Sequence, residues 1–438
     1  MRNFKKTALL LVLLFLFEQA LGFALEPVTF QHYLELELKR KAMEKEQPDM
    51  VFIGNSRVST TFEPSVFAEN MDEVSWAFNA GTGSQGIAGT YYYLKDILNQ
   101  YDLKYVVVGL DYQTVLKEDR VLKRDLVVFE RLKSPVIKAE FMLDVFEPSE
   151  YIYFLKSYQY RNQVWNIPAN LKKKMSKEYR QGIYTDEGMV YEDLGFTREK
   201  AVFGNGAGIL ISNPFLEENV DADKLEYLDK VVELCREKDV QLFLVSTPLT
   251  ISTVYGTPGY EECYRFFKEY AGEKGIPYDN LNLLKDREHL LPDTKMSSME
   301  HAGADGADII SRYYCDILKR RMQGEEVDSC FYASVQEMKE DMADIAACAL
   351  HTERIAGEGN RRIIGESLHK NRVEPEYRFE IVKEGKVKVL QEYSLKEECF
   401  LPEGDISFPM MLRVRCRSRN DKSEKIFEIN IDESTWSE

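Results

Sequence analysis

The residues with the most evident chemical potential lie in one short segment, Val51-Phe-Ile-Gly54-Asn55-Ser56-Arg57. A serine placed straight after a short apolar run, at a Gly-Asn turn, stands at the carboxyl edge of a buried strand. Open α/β sheets bind their ligands at that edge. If a helix begins near Ser56, its first N–H groups point at the same place and can stabilise an oxyanion there. The plainer role for Ser56 is to cap that helix. A second segment, Asn79-Ala-Gly81-Thr-Gly83-Ser84, follows the next apolar run and reaches the same edge. Gly81 can bring its backbone N–H close to a reacting carbonyl oxygen with no side chain in the way. The third piece is His301, one of five histidines (32, 289, 301, 351, 369) and the one flanked by a Gly-rich helix start. A serine after an early strand and a histidine entering a late helix make a candidate nucleophile and base. Arg57, beside the serine, suits an anionic substrate group or an ion pair within the fold about equally.

The elements that must position these residues are legible from periodicity. Met50-Val-Phe-Ile-Gly54, Trp76-Ala-Phe-Asn79 and Tyr105-Val-Val-Val-Gly109 are short apolar runs of the kind found in parallel strands buried on both faces. Residues 240–245 form a further strand, and a short one is expected at 276–278. Helical spacing covers 29–46, 84–100, 222–238, 261–274 and 304–321. Strands alternating with helices mean βαβ units and a mostly parallel sheet covered on both sides. Residues 113–220 interrupt the rhythm with a Lys-, Arg- and Tyr-rich stretch, expected to be a largely helical insertion. Its aromatic string Tyr151, Tyr153, Phe154, Tyr158, Tyr160 reads as subdomain core before it reads as a substrate groove. Gly204-Asn-Gly-Ala-Gly208 lacks the Lys-Ser/Thr ending of a phosphate loop and reads as a loop. From about residue 325 apolar residues alternate with period two at 377–381, 386–390, 411–416 and 426–431, which predicts a small antiparallel β unit. A helix is expected over 335–351.

Taken in order, Gly54-Asn55-Ser56-Arg57, Asn79-Ala-Gly81 and Ser298-Met-Glu-His301-Ala-Gly-Ala-Asp-Gly306-Ala resemble the SGNH (GDSL-like) hydrolase superfamily over residues 48–322. Within it the chain looks most like the membrane-anchored, extracytoplasmic branch of DltD-like D-alanyl-transfer proteins and wall-polysaccharide acetyltransferases. The resemblance implies a flavodoxin-like three-layer α/β fold, with Ser56 as nucleophile, the N–H groups of Ser56 and Gly81 as oxyanion donors, and His301 as base. No cofactor is expected, and the lack of an HExxH or EF-hand pattern and the scattered histidines argue against a metal. The family's last block reads Asp-x-x-His, often followed by Leu-Asn. Here Ser298 occupies the aspartate's place and Gly303 the asparagine's. The third block's asparagine also lacks a counterpart, since Gly109-Leu-Asp111-Tyr112 follows the third strand. Ser298 can accept a hydrogen bond but brings no charge, and losing the charged orienter of a serine triad costs on the order of 10^4 in turnover. Asp293 or Asp286 could loop back to supply it, whereas Glu300 is adjacent but badly directed. Asp286-Arg-Glu-His289 has the same spacing, which makes His289 a rival to His301.

The first residues bear on location. Arg2, Lys5 and Lys6 precede an apolar stretch over 7–25, the layout of a secretory signal or of an uncleaved anchor. Ala20 and Gly22 are the small residues a cleavage site would use, and an anchor is the preferred reading. The positive-inside rule puts the rest of the chain outside the cytoplasm, as a membrane-tethered or secreted protein. The expected divisions are 1–28 as signal or anchor, 29–324 as the α/β domain and 325–438 as the β-rich domain.

The 438 residues carry 57 Lys and Arg against 74 Asp and Glu, a formal net charge of -17, which argues against nucleic acid as a partner. Seven cysteines without a CxxC pair argue against a zinc ribbon or a dense disulfide scaffold, though Cys399 and Cys416 could be bridged. The function expected is serine-dependent ester hydrolysis or acyl transfer on a cell-envelope glycan or teichoic-type polymer, with that polymer or an acylated carrier as partner. The rival is a catalytically degenerate scaffold or binding protein of the envelope.

Overall fold

The computed structural model describes residues 2–111, 113–118, 120–181, 189–199, 215–257, 259–285, 287–292, 295–354, 361–370, 372–420 and 424–431. The apolar runs of the first half become strands because neither of their faces meets water. β1 (Met50–Ile53) is buried at every position, as is β2 (Ala77–Asn79), while β3 (Tyr105–Leu110) is nearly so. A hairpin of β4 (Met189–Asp193) and β5 (Phe196–Glu199) forms its own two-stranded sheet. β6 (Gln241–Ser246) and β7 (Tyr278–Asn280) complete a five-stranded sheet of order β2-β1-β3-β6-β7. β1 runs parallel to both neighbours, with Met50 opposite Ala77 on one side and Tyr105 on the other. β6 and β7 are parallel too, with Leu244 opposite Tyr278. β1 standing between β2 and β3 marks the change of winding direction, the point where such sheets open a crevice.

The helices over Ile87–Gln100, Ala222–Glu237, Tyr260–Lys274 and Ala304–Met322 lie where helical periodicity places them. Each buries one stripe, for example Ile310, Tyr314 and Leu318. The last strand of the sheet falls at 278–280, two residues beyond the expected 276–278. The part of the insertion that is described contains short helices and turns over 122–180, and then the β4–β5 hairpin, which periodicity did not reveal. The aromatics of its string stay half-buried while packing on other rings: Phe154 stacks on Phe129 with centroids 4.2 Å apart and meets Phe146 edge-on at 4.9 Å. The Gly204–Gly208 cluster lies outside the described residues.

The tail is a β unit, as alternation requires. β8 (Ile345–Arg354), β9 (Arg361–His369) and β12 (Glu398–Leu401) make one antiparallel sheet; β10 (Pro375–Lys383), β11 (Lys386–Ser394), β13 (Met410–Ser418) and β14 (Glu424–Ile431) make another. β13 alternates buried and half-buried residues along its whole length. Its inward side chains Met410, Leu412, Val414 and Cys416 share a core with Phe379, Ile381, Ile363 and Leu401. The helix expected over 335–351 stops at Asp341, because the apolar run from Ile345 pairs with β9 instead. All seven cysteines are unpaired thiols, so the Cys399–Cys416 bridge does not form.

Contacts divide the chain into two compact units. One comprises Met1–Gly109, Gln113–Arg198 and Asp221–Phe243, the other Leu110–Tyr112, Glu199–Val220 and Leu244–Glu438. Among the described residues one helix, Arg2–Leu25, carries an apolar window, Lys5–Leu25, long enough to cross a bilayer.

Candidate active site

Ser56 is the first residue of the helix Ser56–Thr61, which follows β1 after the Gly54-Asn55 turn. Asn55, not Ser56, is the cap: its side-chain oxygen accepts the N–H of Arg57 at 3.0 Å. The capping role that competes for Ser56 is therefore taken, and Ser56 stays half-buried at the helix start while Arg57 is buried. Asn79, fully buried at the end of β2, braces this helix. Its amide Nδ2 donates to the carbonyls of Val58 and Phe62, both at 2.9 Å, and so ties the last turn of the short helix to the end of β2. Gly81 packs against the same turn. A Cβ there would lie 2.7 Å from Ser59 N and 3.0 Å from Asn55 O, so only glycine fits.

One expectation needs correction at Gly81. Its N–H donates to Asn79 Oδ1 at 2.9 Å, so it is not standing open for an oxyanion. The asparagine that holds the helix also holds this donor.

The hairpin of β4 and β5 is fixed to the same region. At its turn Gly195 adopts φ +90, and a Cβ would collide with Asn79 O at 1.9 Å. Asn79 N–H donates to Leu194 O at 2.7 Å, and the Thr197 hydroxyl donates to Ser59 O at 3.3 Å. Arg198 then pairs with Glu63 at 3.5 Å. The next residue is Glu199, the last of β5.

His301 sits in a tight turn ahead of the helix Ala304–Met322. Ser297 N–H donates to His301 O at 2.9 Å and Gly303 N–H to Lys295 O at 2.9 Å, and Met299 O accepts the Thr250 N–H at 2.9 Å. The His301 ring nitrogen Nδ1 is 3.1 Å from Glu199 Oε1. Ser297 Oγ donates to the other oxygen of the same carboxylate. Burial pushes the Glu199 carboxyl upward, but the hydrogen bonds from His301 and Ser297 outweigh it and hold the group below its ordinary value. A carboxylate at Nδ1 fixes the proton there and leaves Nε2 as the basic nitrogen, the arrangement a general base requires.

Ser298 does something else. Its Oγ accepts the backbone N–H groups of His301 at 3.1 Å and Glu300 at 3.3 Å, so it caps the turn and is not the orienter of the ring. Asp293 and Asp286 lie outside the described residues, as does the side chain of His289. Ser56 and Gly81 belong to the first unit, His301, Ser298 and Glu199 to the second. Sequence reading missed Glu199 because the carboxylate comes from the insertion, about a hundred positions before the histidine. The signal that could have found it is the alternation on both sides of Leu194-Gly195, which marks a hairpin aimed back at the sheet.

No family model matches the chain, and no curated protein matches it in sequence. Its structural neighbours include GDSL-like acylhydrolases at low identity. A candidate acylhydrolase from Bacteroides fragilis is 10% identical, with a TM-score of 0.30 over 66% of this chain and 98% of its own. A GDSL-like lipase from Bacteroides thetaiotaomicron is 11% identical, with a TM-score of 0.29 over 68% of this chain and 99% of its own. Likenesses this distant add nothing to what the residues themselves say.

Proposed function

We propose that this chain is an extracytoplasmic serine hydrolase or acyltransferase, held at the membrane by its first helix, that cleaves or transfers an ester on a cell-envelope glycan or teichoic-type polymer. The observation that carries the reading is the His301–Glu199 pair, an imidazole held by a carboxylate through Nδ1. Ser56 opens the helix after β1, and Glu199 ends the strand whose Thr197 hydroxyl is bonded to Ser59 of that helix.

In this mechanism Ser56 Oγ attacks the ester carbonyl carbon while His301 Nε2 takes its proton. The carbonyl oxygen becomes an oxyanion facing the Ser56 N–H. Collapse breaks the bond to the alcohol, which leaves with the proton from His301, and an acyl group stays on Ser56. Water then gives hydrolysis, or a sugar hydroxyl gives transfer, with His301 taking the incoming proton. Glu199 is a positioning residue: it never touches substrate but holds the ring and stabilises the imidazolium. The degenerate-scaffold reading drew its support from Ser298, and with Glu199 at the ring a charged orienter is present after all.

A fluorophosphonate probe tests this. The full chain in detergent is expected to be labelled at Ser56, and S56A and H301A to lose the label while keeping their fold by circular dichroism. Labelling that persists in S56A would refute the assignment.

A further inference from the structure

The apolar helix Arg2–Leu25 is built into the folded domain at one end. Ser157 N–H donates to Glu18 Oε1 at 3.0 Å, Asn170 Nδ2 to Leu25 O at 2.8 Å, and Lys174 Nζ to Phe23 O at 2.5 Å. Lys174 Nζ also stands 4.3 Å from the centroid of the Phe23 ring. Lys156 comes so near Gly22 that a Cβ there would lie 2.7 Å from its own Cβ. Leu25 and Val28 are buried. A cut after Gly22 would remove both Glu18 and Gly22 from these contacts, and a cut after Ala20 would remove Glu18.

The other half is bare. Residues 5–17 are all exposed, those from 9 to 17 between 53% and 65%, and at 1.5 Å per residue the stretch makes only about 20 Å of helix. A bilayer's hydrocarbon is roughly 30 Å thick. To span it, the helix must use the gripped turns as well. With Lys5 and Lys6 among the inner headgroups, Leu25 reaches the outer boundary about 30 Å away. The segment that grips residues 18–25 is then held at the outer boundary, with Leu25 level with it and Glu18 about 10 Å below.

That segment's surface has the composition such a depth demands. Trp165 is 89% exposed and Met175 66%, and Val164 and Leu155 are about half exposed. The turn Arg161–Asn166 that carries Trp165 packs on the apolar helix itself. Beside these apolar groups Lys172, Lys173 and Lys177 are exposed, a local basic patch on a chain whose formal net charge is -17. Tryptophan and long basic side chains gather at the membrane–water boundary because each offers an apolar body and a polar tip. Basic residues at that level are drawn to anionic headgroups.

We infer that residues 152–180 form an interfacial collar around the anchor, seated in the outer headgroup layer of an anionic phospholipid bilayer with Trp165 at the acyl boundary. The inference rests on the reading of the first helix as a retained anchor. It can be tested with the full chain reconstituted in phosphatidylglycerol–phosphatidylcholine vesicles whose acyl chains are brominated near the headgroup. The chain is expected to float with the vesicles, to show tryptophan quenching by the brominated lipid, and to lose most of that quenching in W165F. Serine labelling in the same vesicles is expected to be the same for W165F and the parent. Flotation without W165F-dependent quenching would overturn the collar and leave the anchor standing. Failure to float, or a mass showing that the N-terminus begins after Ala20, would overturn both.

Discussion

In the proposed mechanism Glu199 is the residue that orients the base. Its carboxylate is held below its ordinary value by the very groups it orients, so its stabilising effect has a definite sign with pH. The contribution is complete above the ordinary carboxylate value near 4.5 and is lost as pH falls through the depressed one. E199Q is expected to lower the rate of ester cleavage on the order of 10^4-fold, the cost of a missing charged orienter. It is also expected to raise the apparent acid limb's insensitivity, since the variant has no carboxyl to titrate at the ring. S298A is the informative control. It removes two hydrogen bonds to backbone N–H groups of the turn, at roughly 1 kcal/mol each, and leaves the carboxylate in place. Its rate is expected to stay within about tenfold of the parent, with a lower midpoint in urea. A loss in S298A as deep as in E199Q, read from rate–pH profiles, would return the orienting role to Ser298.

At the scale of elements, the six-residue helix Ser56–Thr61 is too short to hold itself. Asn79 supplies what it lacks, one amide to two of its carbonyl ends and one oxygen to Gly81. N79A takes the acceptor from the Gly81 N–H and a donor from the carbonyls of Val58 and Phe62. It is expected to cost about 2–4 kcal/mol in urea unfolding, because each orphaned buried group costs roughly 1–3 kcal/mol and part of the loss is relieved by relaxation. G81A is expected to be destabilising by a different route, since its methyl would press on Ser59 N at 2.7 Å and push the helix start away. Both variants are also expected to lose fluorophosphonate labelling. A fully stable N79A protein would show that the helix is held by other contacts.

For the whole molecule, the tie between the apolar helix and the rest of the first unit is electrostatic at the helix's C-terminal end. Glu26 is buried beside Lys156, His32 and Lys174. Burial pushes its carboxyl upward, but the His32 hydrogen bond and the Lys156 charge prevail and hold it at about 2, from an ordinary 4.5. The group's folded value is depressed, so its contribution is present above pH 4.5 and lost progressively as pH falls toward 2. Hydrogen exchange of the amides of residues 18–28 and 156–174 is expected to rise over that window in the parent. In E26Q it is expected to be raised already at neutral pH and flat with acid. A parent whose exchange there is independent of pH between 5 and 2 would refute this role for Glu26.

The amino-acid sequence by itself determined the local events. Apolar runs such as Met50-Val-Phe-Ile and Tyr105-Val-Val-Val form strands, and the 3.6-residue stripe of Ala304–Met322 forms a helix, because burial of those residues needs no information from elsewhere. It also placed Ser56 at a strand end, since a Gly-Asn turn is read from neighbours. What only the tertiary structure decided are the pairings of distant groups. Glu199 at the ring of His301, Asn79 Oδ1 on the Gly81 N–H, and β8 taking residues that look helical all depend on partners many positions away. A side chain's periodicity says which face it presents. Which group meets it there is settled by how the chain returns, and that leaves no trace in local spacing.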